Sequence, residues 1–163
     1  MSAADFLGLW LHVLGLAVYG GASVAVVALL LPAARAVSDP AERRSVLARA
    51  FRVYDPLAVG ALGVVVMTGA INLTSYKAAL AGEFFQRLGG LLVWKLGTAF
   101  LVVMGGTYVA MGLGHRIVRA EALQIPVDGA QLDTMLRRVS HATWINLVIL
   151  AITIWLGLAL GHR

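Results

Sequence analysis

The chain has 163 residues, of which 60% are hydrophobic and 13% charged, with a formal net charge of +5 and a mean hydropathy of +0.86. So apolar a composition excludes an ordinary water-soluble domain. The lack of cysteine excludes disulfides, thiolate metal sites, iron–sulfur clusters and covalently attached c-type haem.

Four apolar runs, 6–31, 57–75, 89–114 and 142–160, are long enough to cross a bilayer, which takes roughly 20 residues. Backbone polar groups in lipid must be satisfied within the segment, so each run is predicted to be a helix. The first run is too long for the apolar core of a cleavable signal peptide. Met1 to Asp5 ahead of it carry an acid and no base, so Ala34-Arg35-Ala36 is not read as a cleavage site.

After the first run, Ser38-Asp39-Pro40-Ala41-Glu42 is a helix start: Asp39 caps, Pro40 suits the first helical position and Glu42 favours the first turn. Val46, Leu47, Ala50, Phe51 and Tyr54 follow at helical spacing with arginines between them. This predicts a short amphipathic helix lying on the cytoplasmic membrane surface as an anchor, or an extension of the second span. Asp55-Pro56 is expected to break or kink it before that span begins. A short outer connection, 76–88, carries Lys77, Phe84 and Phe85. The inner connection, 115–139, contains Pro126 and the turn pair Asp128-Gly129, and 130–138 is expected to lead helically into the fourth span.

Orientation follows from the basic residues. Arg35, Arg43, Arg44, Arg49 and Arg52 lie between the first two spans, and Arg116, Arg119, Arg137 and Arg138 between the last two. The opposite side has Lys77, Arg87 and Arg163. The positive-inside rule makes the arginine-rich side cytoplasmic and turns both termini outward, to the periplasm in a bacterial inner membrane. Anionic lipid accounts for the basic charge without a nucleic-acid partner. The predicted fold is therefore all-α: one domain, 1–163, a polytopic four-helix up-down-up-down bundle. Its spans contain Gly15, Gly20, Gly21, Gly60, Gly63, Gly69, Gly97, Gly105 and Gly106, which favour close packing and leave room for a flat cofactor.

Two ionisable side chains interrupt these runs: His12, six residues past Phe6, and Lys95, six past Gly89. A group of that kind inside a membrane is a functional-site hypothesis by default. At about 1.5 Å per residue both are expected roughly 9 Å below the start of their runs. Alternate helices of such a bundle sit diagonally, so the pair is placed to grip one iron from opposite sides. Imidazole is a standard haem ligand, and an amine binds once deprotonated. The plain alternatives are a histidine bonded to a carbonyl and a lysine that snorkels outward. Tyr19, Tyr108, Asn72 and Thr68 are available to line the core, in a spacing that specifies no reaction.

On the cytoplasmic side His115 and His141 stand near Arg116, Arg137 and Arg138, as a candidate second site or as ordinary interfacial residues. Copper is the competing metal, since thioether and imidazole suit Cu(I). Met67, Met104 and Met111 are scattered, however, and ordinary packing explains them better.

Leu9-Trp10-Leu11-His12-Val13-Leu14-Gly15 with Tyr19-Gly20-Gly21, Tyr54-Asp55-Pro56 with Met67-Thr68-Gly69-Ala70, and Gly89-Gly90-Leu91-Leu92-Val93-Trp94-Lys95-Leu96 make the chain resemble the copper resistance D superfamily. The closest likeness is to its bacterial membrane protoporphyrinogen oxidase branch. That resemblance implies haem b held at His12 and Lys95, with Tyr19 and Trp94 in the cofactor-binding segments. It also implies six-electron oxidation of protoporphyrinogen IX to protoporphyrin IX, with electrons passing to a quinone or the respiratory chain. The chain departs from that branch at Leu31-Pro32-Ala33, where Tyr and His are usual, and at Val139-Ser140-His141, where an Asn-Glu-like pair is expected. These departures bear on the substrate. The leading expectation is a haem b redox or electron-transfer protein of the lipid bilayer, for which self-association is open. The alternatives are a copper-handling membrane protein and a non-catalytic anchor subunit of a respiratory complex.

Overall fold

The computed structural model of the protein describes residues 3–161. Arg163 lies outside the described residues, as do the side chains of Phe84 and Arg87. Four long helices follow one another. Helix α1 covers Ala3–Arg35 and helix α2 covers Pro40–Leu80. After a 3-10 turn at Ala81–Glu83, helix α3 runs over 84–122, and helix α4 covers Gly129–Gly161. All four contain a stretch long and apolar enough to cross a membrane. Each expected span is present inside a longer helix.

The side chains are distributed as lipid demands. Trp94, Trp155, Phe100, Met67, Leu29 and Val93 are each more than three-fifths exposed on the outer faces of the bundle. Small and polar residues turn inward instead: Gly8, Gly15, Ser23, Thr68, Thr143 and Asn146 are all buried. Lipid is as apolar as leucine, so close packing and interhelical hydrogen bonds, rather than exclusion of water, hold such helices together.

Helix α1 packs along α2, and α3 along α4. The two pairs meet chiefly at the arginine-rich end, where α2 packs on the last turns of α3. The backbones of α1 and α3 are not a packed pair, which sets these helices diagonally, as expected. The main apolar core fills the arginine-rich and central levels, with Leu31, Leu47, Phe51, Ile117, Leu136 and Val139 almost fully buried.

The arginine-bearing segment ahead of the second span is not a separate surface helix. Of the two arrangements the sequence allows, the chain takes the extension: α2 is continuous from Pro40 through Pro56 to Leu80. Asp39 caps it as expected, accepting from the Glu42 amide at 2.9 Å. Proline at position 56 removes the hydrogen bond to the carbonyl of Arg52, which costs about 3 kcal/mol in a helix interior. Packing opposes that loss. Leu47, Ala48, Phe51, Tyr54, Ala58, Ala61 and Leu62 form one buried stripe at helical spacing, crossing the proline without a change of face. Breaking the helix there would turn half of the stripe away from its partners.

Two π-helical segments, Val26–Leu30 in α1 and Tyr108–Gly114 in α3, lie in the arginine-rich half. The first directly precedes Pro32. Proline cannot donate to the carbonyl four residues back and its ring crowds that carbonyl, so the wider turn relieves both conflicts. The connection 123–128 begins in a left-handed residue, Gln124, at φ 50°. The Ile125 amide donates back to Ala120, and Gln124 to Glu121, which closes the end of α3. Ion pairs then tie the start of α2 to its neighbours: Arg43 to Asp133 at 2.8 Å and Arg44 to Glu121 at 2.7 Å.

Candidate functional site

The apolar core does not run unbroken to the outer end. A second, small cluster of Leu73, Leu80, Leu92 and Leu160 closes that end. Between the two clusters each helix contributes one inward polar residue: His12 from α1, Thr68 from α2, Lys95 from α3 and Thr153 from α4. Thr68 and Thr153 are buried; His12 and Lys95 are partly buried. Helical periodicity explains why these residues face inward. His12 shares the face of Gly8, Gly15 and Tyr19, and Thr153 that of Asn146 and Leu150.

His12 is held in one orientation. Its Nδ1 lies 3.0 Å from the carbonyl oxygen of Val65 and 3.0 Å from Thr68 Oγ1. A carbonyl only accepts, so Nδ1 carries the proton and donates. The Thr68 hydroxyl itself donates to the Val64 carbonyl at 2.6 Å, leaving its oxygen free to accept from the imidazole. The tautomer that results bears its lone pair on Nε2. Gly69 makes the room: a Cβ built there would fall 3.2 Å from the imidazole Cε1.

Lys95 is placed in a parallel way on the other pair of helices. Its amine lies over Gly157 of α4, whose added Cβ would meet Nζ and Cε at 3.5 Å. Gly105 of α3 stands against Asn146 of α4. Lys95 is ten residues outward of Gly105 and Gly157 eleven outward of Asn146, so the amine stays at its own level and does not snorkel outward. No ion pair or hydrogen bond holds it among the described residues.

The Tyr19 hydroxyl reaches Gly106, a side-chain contact between α1 and α3 at the centre of the bundle.

The remaining candidates do not converge on this pair. Trp94 is 71% exposed, because consecutive helical residues point about 100° apart and Lys95 takes the inward direction. Tyr19 is buried two turns deeper and accepts a hydrogen bond from Asn146 Nδ2. Asn72 packs near Gly8, outward of His12. Tyr108 is half exposed, with its ring over Gly112. At the arginine-rich end His115 and His141 are both exposed, and His141 Nδ1 donates to the Arg137 carbonyl of its own helix at 2.9 Å. Met67, Met104 and Met111 point outward, each more than half exposed. Sequence reasoning overlooked Gly157, Thr153, Ser23, Thr143 and Asn146. The lone carboxamide of Asn146 inside an apolar run was the signal that had been available.

Among the described residues no three His, Asp or Glu side chains gather to hold a bare metal ion. A cofactor that brings its own donors asks less of the protein. His12, with its imidazole fixed through Nδ1 and Nε2 free, and Lys95, with no carboxylate partner among the described residues, are the side chains that would hold such a group. No family model, no curated protein and no solved structure matches the chain.

Proposed function

We propose that the protein is an integral-membrane haem b protein with a redox or electron-transfer role, whose haem iron would be held by His12 Nε2 and Lys95 Nζ. The observation that carries this reading is the anchoring of His12 Nδ1 by Val65 and Thr68, which leaves Nε2 unclaimed, beside an inward Lys95 that has no ion pair among the described residues. Metal-ligating histidines in general are oriented in this way, through the nitrogen that does not bind.

Bound haem would supply one-electron exchange. The chain's contribution is positional. Thr68 and Val65 hold the imidazole and fix its tautomer. Gly69 and Gly157 give the two side chains space, and the leucines at the outer end limit the approach of water. Lys95 binds only through a free lone pair, and among the described residues no carboxylate keeps it as an ammonium.

Within this class the reaction we favour is oxidation of protoporphyrinogen IX to protoporphyrin IX, the activity implied by the resemblance of the His12 and Lys95 segments. Electrons would pass to a quinone or a respiratory acceptor. The membrane is proposed to be the bacterial inner membrane, with the arginine-rich end in the cytoplasm. Copper handling is the weaker alternative, because Met67, Met104 and Met111 face outward and are spread over two helices.

A reduced-minus-oxidised absorbance spectrum of the purified protein tests the cofactor. Wild type is expected to show b-type bands, and His12→Ala and Lys95→Ala to lose or shift them. A wild-type preparation expressed with ample haem supply but lacking those bands would overturn the proposal.

A further inference from the structure

Below the His12 level, a line of buried polar side chains continues through the apolar core toward the arginine-rich end. Tyr19 is 2% exposed, Ser23 1%, Tyr54 6%, Thr143 2% and Asn146 4%. Asn146 Nδ2 donates to the Tyr19 hydroxyl. The Ser23 hydroxyl lies 3.4 Å from the Tyr54 hydroxyl, and Ser23 stands one turn below Tyr19 on the same face of α1. Asp55, next in the chain to Tyr54, lies against Gly114, where a Cβ would come within 2.6 Å of its Oδ1.

Three atoms along this line are buried without a protein partner: Asp55 Oδ1, Thr143 Oγ1 and Asn146 Oδ1. Buried polar groups are normally satisfied, and water commonly serves where side chains do not. Helices α1 and α2 bring the Ser23 and Tyr54 hydroxyls together and α4 sets Asn146 against Tyr19, with an acid near one end and orphan oxygens beside them.

We propose that this line is a proton path from the arginine-rich end, entered at Asp55, to the centre of the bundle at Tyr19 and Asn146. Each hydroxyl along it passes its own proton onward as it accepts one from behind. Every oxygen thus ends with one proton, and no oxidant or reductant is consumed. Asn146 does not give up an amide proton; its Nδ2 holds the Tyr19 hydroxyl in place. The path requires no bound cofactor. In a redox protein it would supply or remove the protons that accompany electron transfer.

The test reads exchange of the Tyr19 hydroxyl directly. The full-length protein, labelled with 13C at the tyrosine Cζ, is placed in detergent micelles in equal parts H2O and D2O. A hydroxyl that exchanges quickly gives one averaged Cζ resonance, and one that exchanges slowly gives two. The Tyr19 signal is assigned by its loss in Tyr19→Phe. A proton path predicts a single averaged line for this buried hydroxyl. Asp55→Asn and, independently, Tyr54→Phe should slow exchange at least tenfold and split it. A split line in wild type, or an averaged line unchanged in both variants, overturns the proposal and leaves a structural hydrogen bond. Because no haem enters the measurement, either result stands apart from the fate of the haem reading.

Discussion

Gly106 is where the structure makes its sharpest energetic demand. A methyl group added there would fall 2.7 Å from Leu62 Cδ1 and onto the Tyr19 hydroxyl. Neither neighbour has room to yield, since Leu62 is 4% and Tyr19 2% exposed. Overpacking of this kind costs about 1–3 kcal/mol. Displacing Tyr19 from Asn146 forfeits a further ~0.5–1.5 kcal/mol. Against this, alanine is favoured over glycine in a helix by roughly 0.5–1 kcal/mol. Gly106→Ala should therefore destabilise the protein by about 0.5–4 kcal/mol, the sum of those terms. Gly60 is the control, because an added Cβ there has nothing within 4 Å. Gly60→Ala should be neutral or stabilising by up to about 1 kcal/mol. Unfolding by SDS titration in mixed micelles, followed through the four tryptophans, measures both variants. If Gly106→Ala were as stable as Gly60→Ala, the close approach of α1, α2 and α3 at this level would be wrong.

Three further outcomes follow from the site and the topology. Thr68→Val keeps the volume but removes an acceptor from His12 Nδ1, and haem affinity, followed by titration of the apoprotein, should fall about tenfold. Gly157→Ala should be tolerated, since its Cβ meets the Lys95 amine at an ordinary 3.5 Å. Gly157→Leu should displace that amine and shift the absorbance bands; unaltered bands would show that Lys95 is no ligand. The natural absence of cysteine makes topology easy to read. Ser38→Cys should react with an impermeant maleimide only after cells are opened, and Gly82→Cys in intact cells, with the reverse pattern refuting the orientation.

Hydropathy made the four spans legible, because length and apolarity alone decide whether a segment can cross a membrane. His12 and Lys95 stood out for the same reason, as costly groups in apolar surroundings. The direction in which each side chain points was harder to read. Trp94 and Lys95 are neighbours in sequence, yet only Lys95 points inward, which depends on the azimuth of a whole helix. Pro56 reads locally as a breaker, yet the buried stripe on either side of it belongs to tertiary packing. The supporting roles of Thr68 and Gly157 are legible only once α1 lies on α2 and α3 on α4.

The identity of both axial ligands is the claim on which the functional account turns. Near-infrared magnetic circular dichroism of the oxidised, low-spin protein reads it directly, because the energy of the charge-transfer band depends on the ligand pair. Wild type should give the signature of one imidazole and one amine, and Lys95→Met that of imidazole and thioether. A bis-imidazole signature, or a spectrum unchanged by Lys95→Met, would contradict the account.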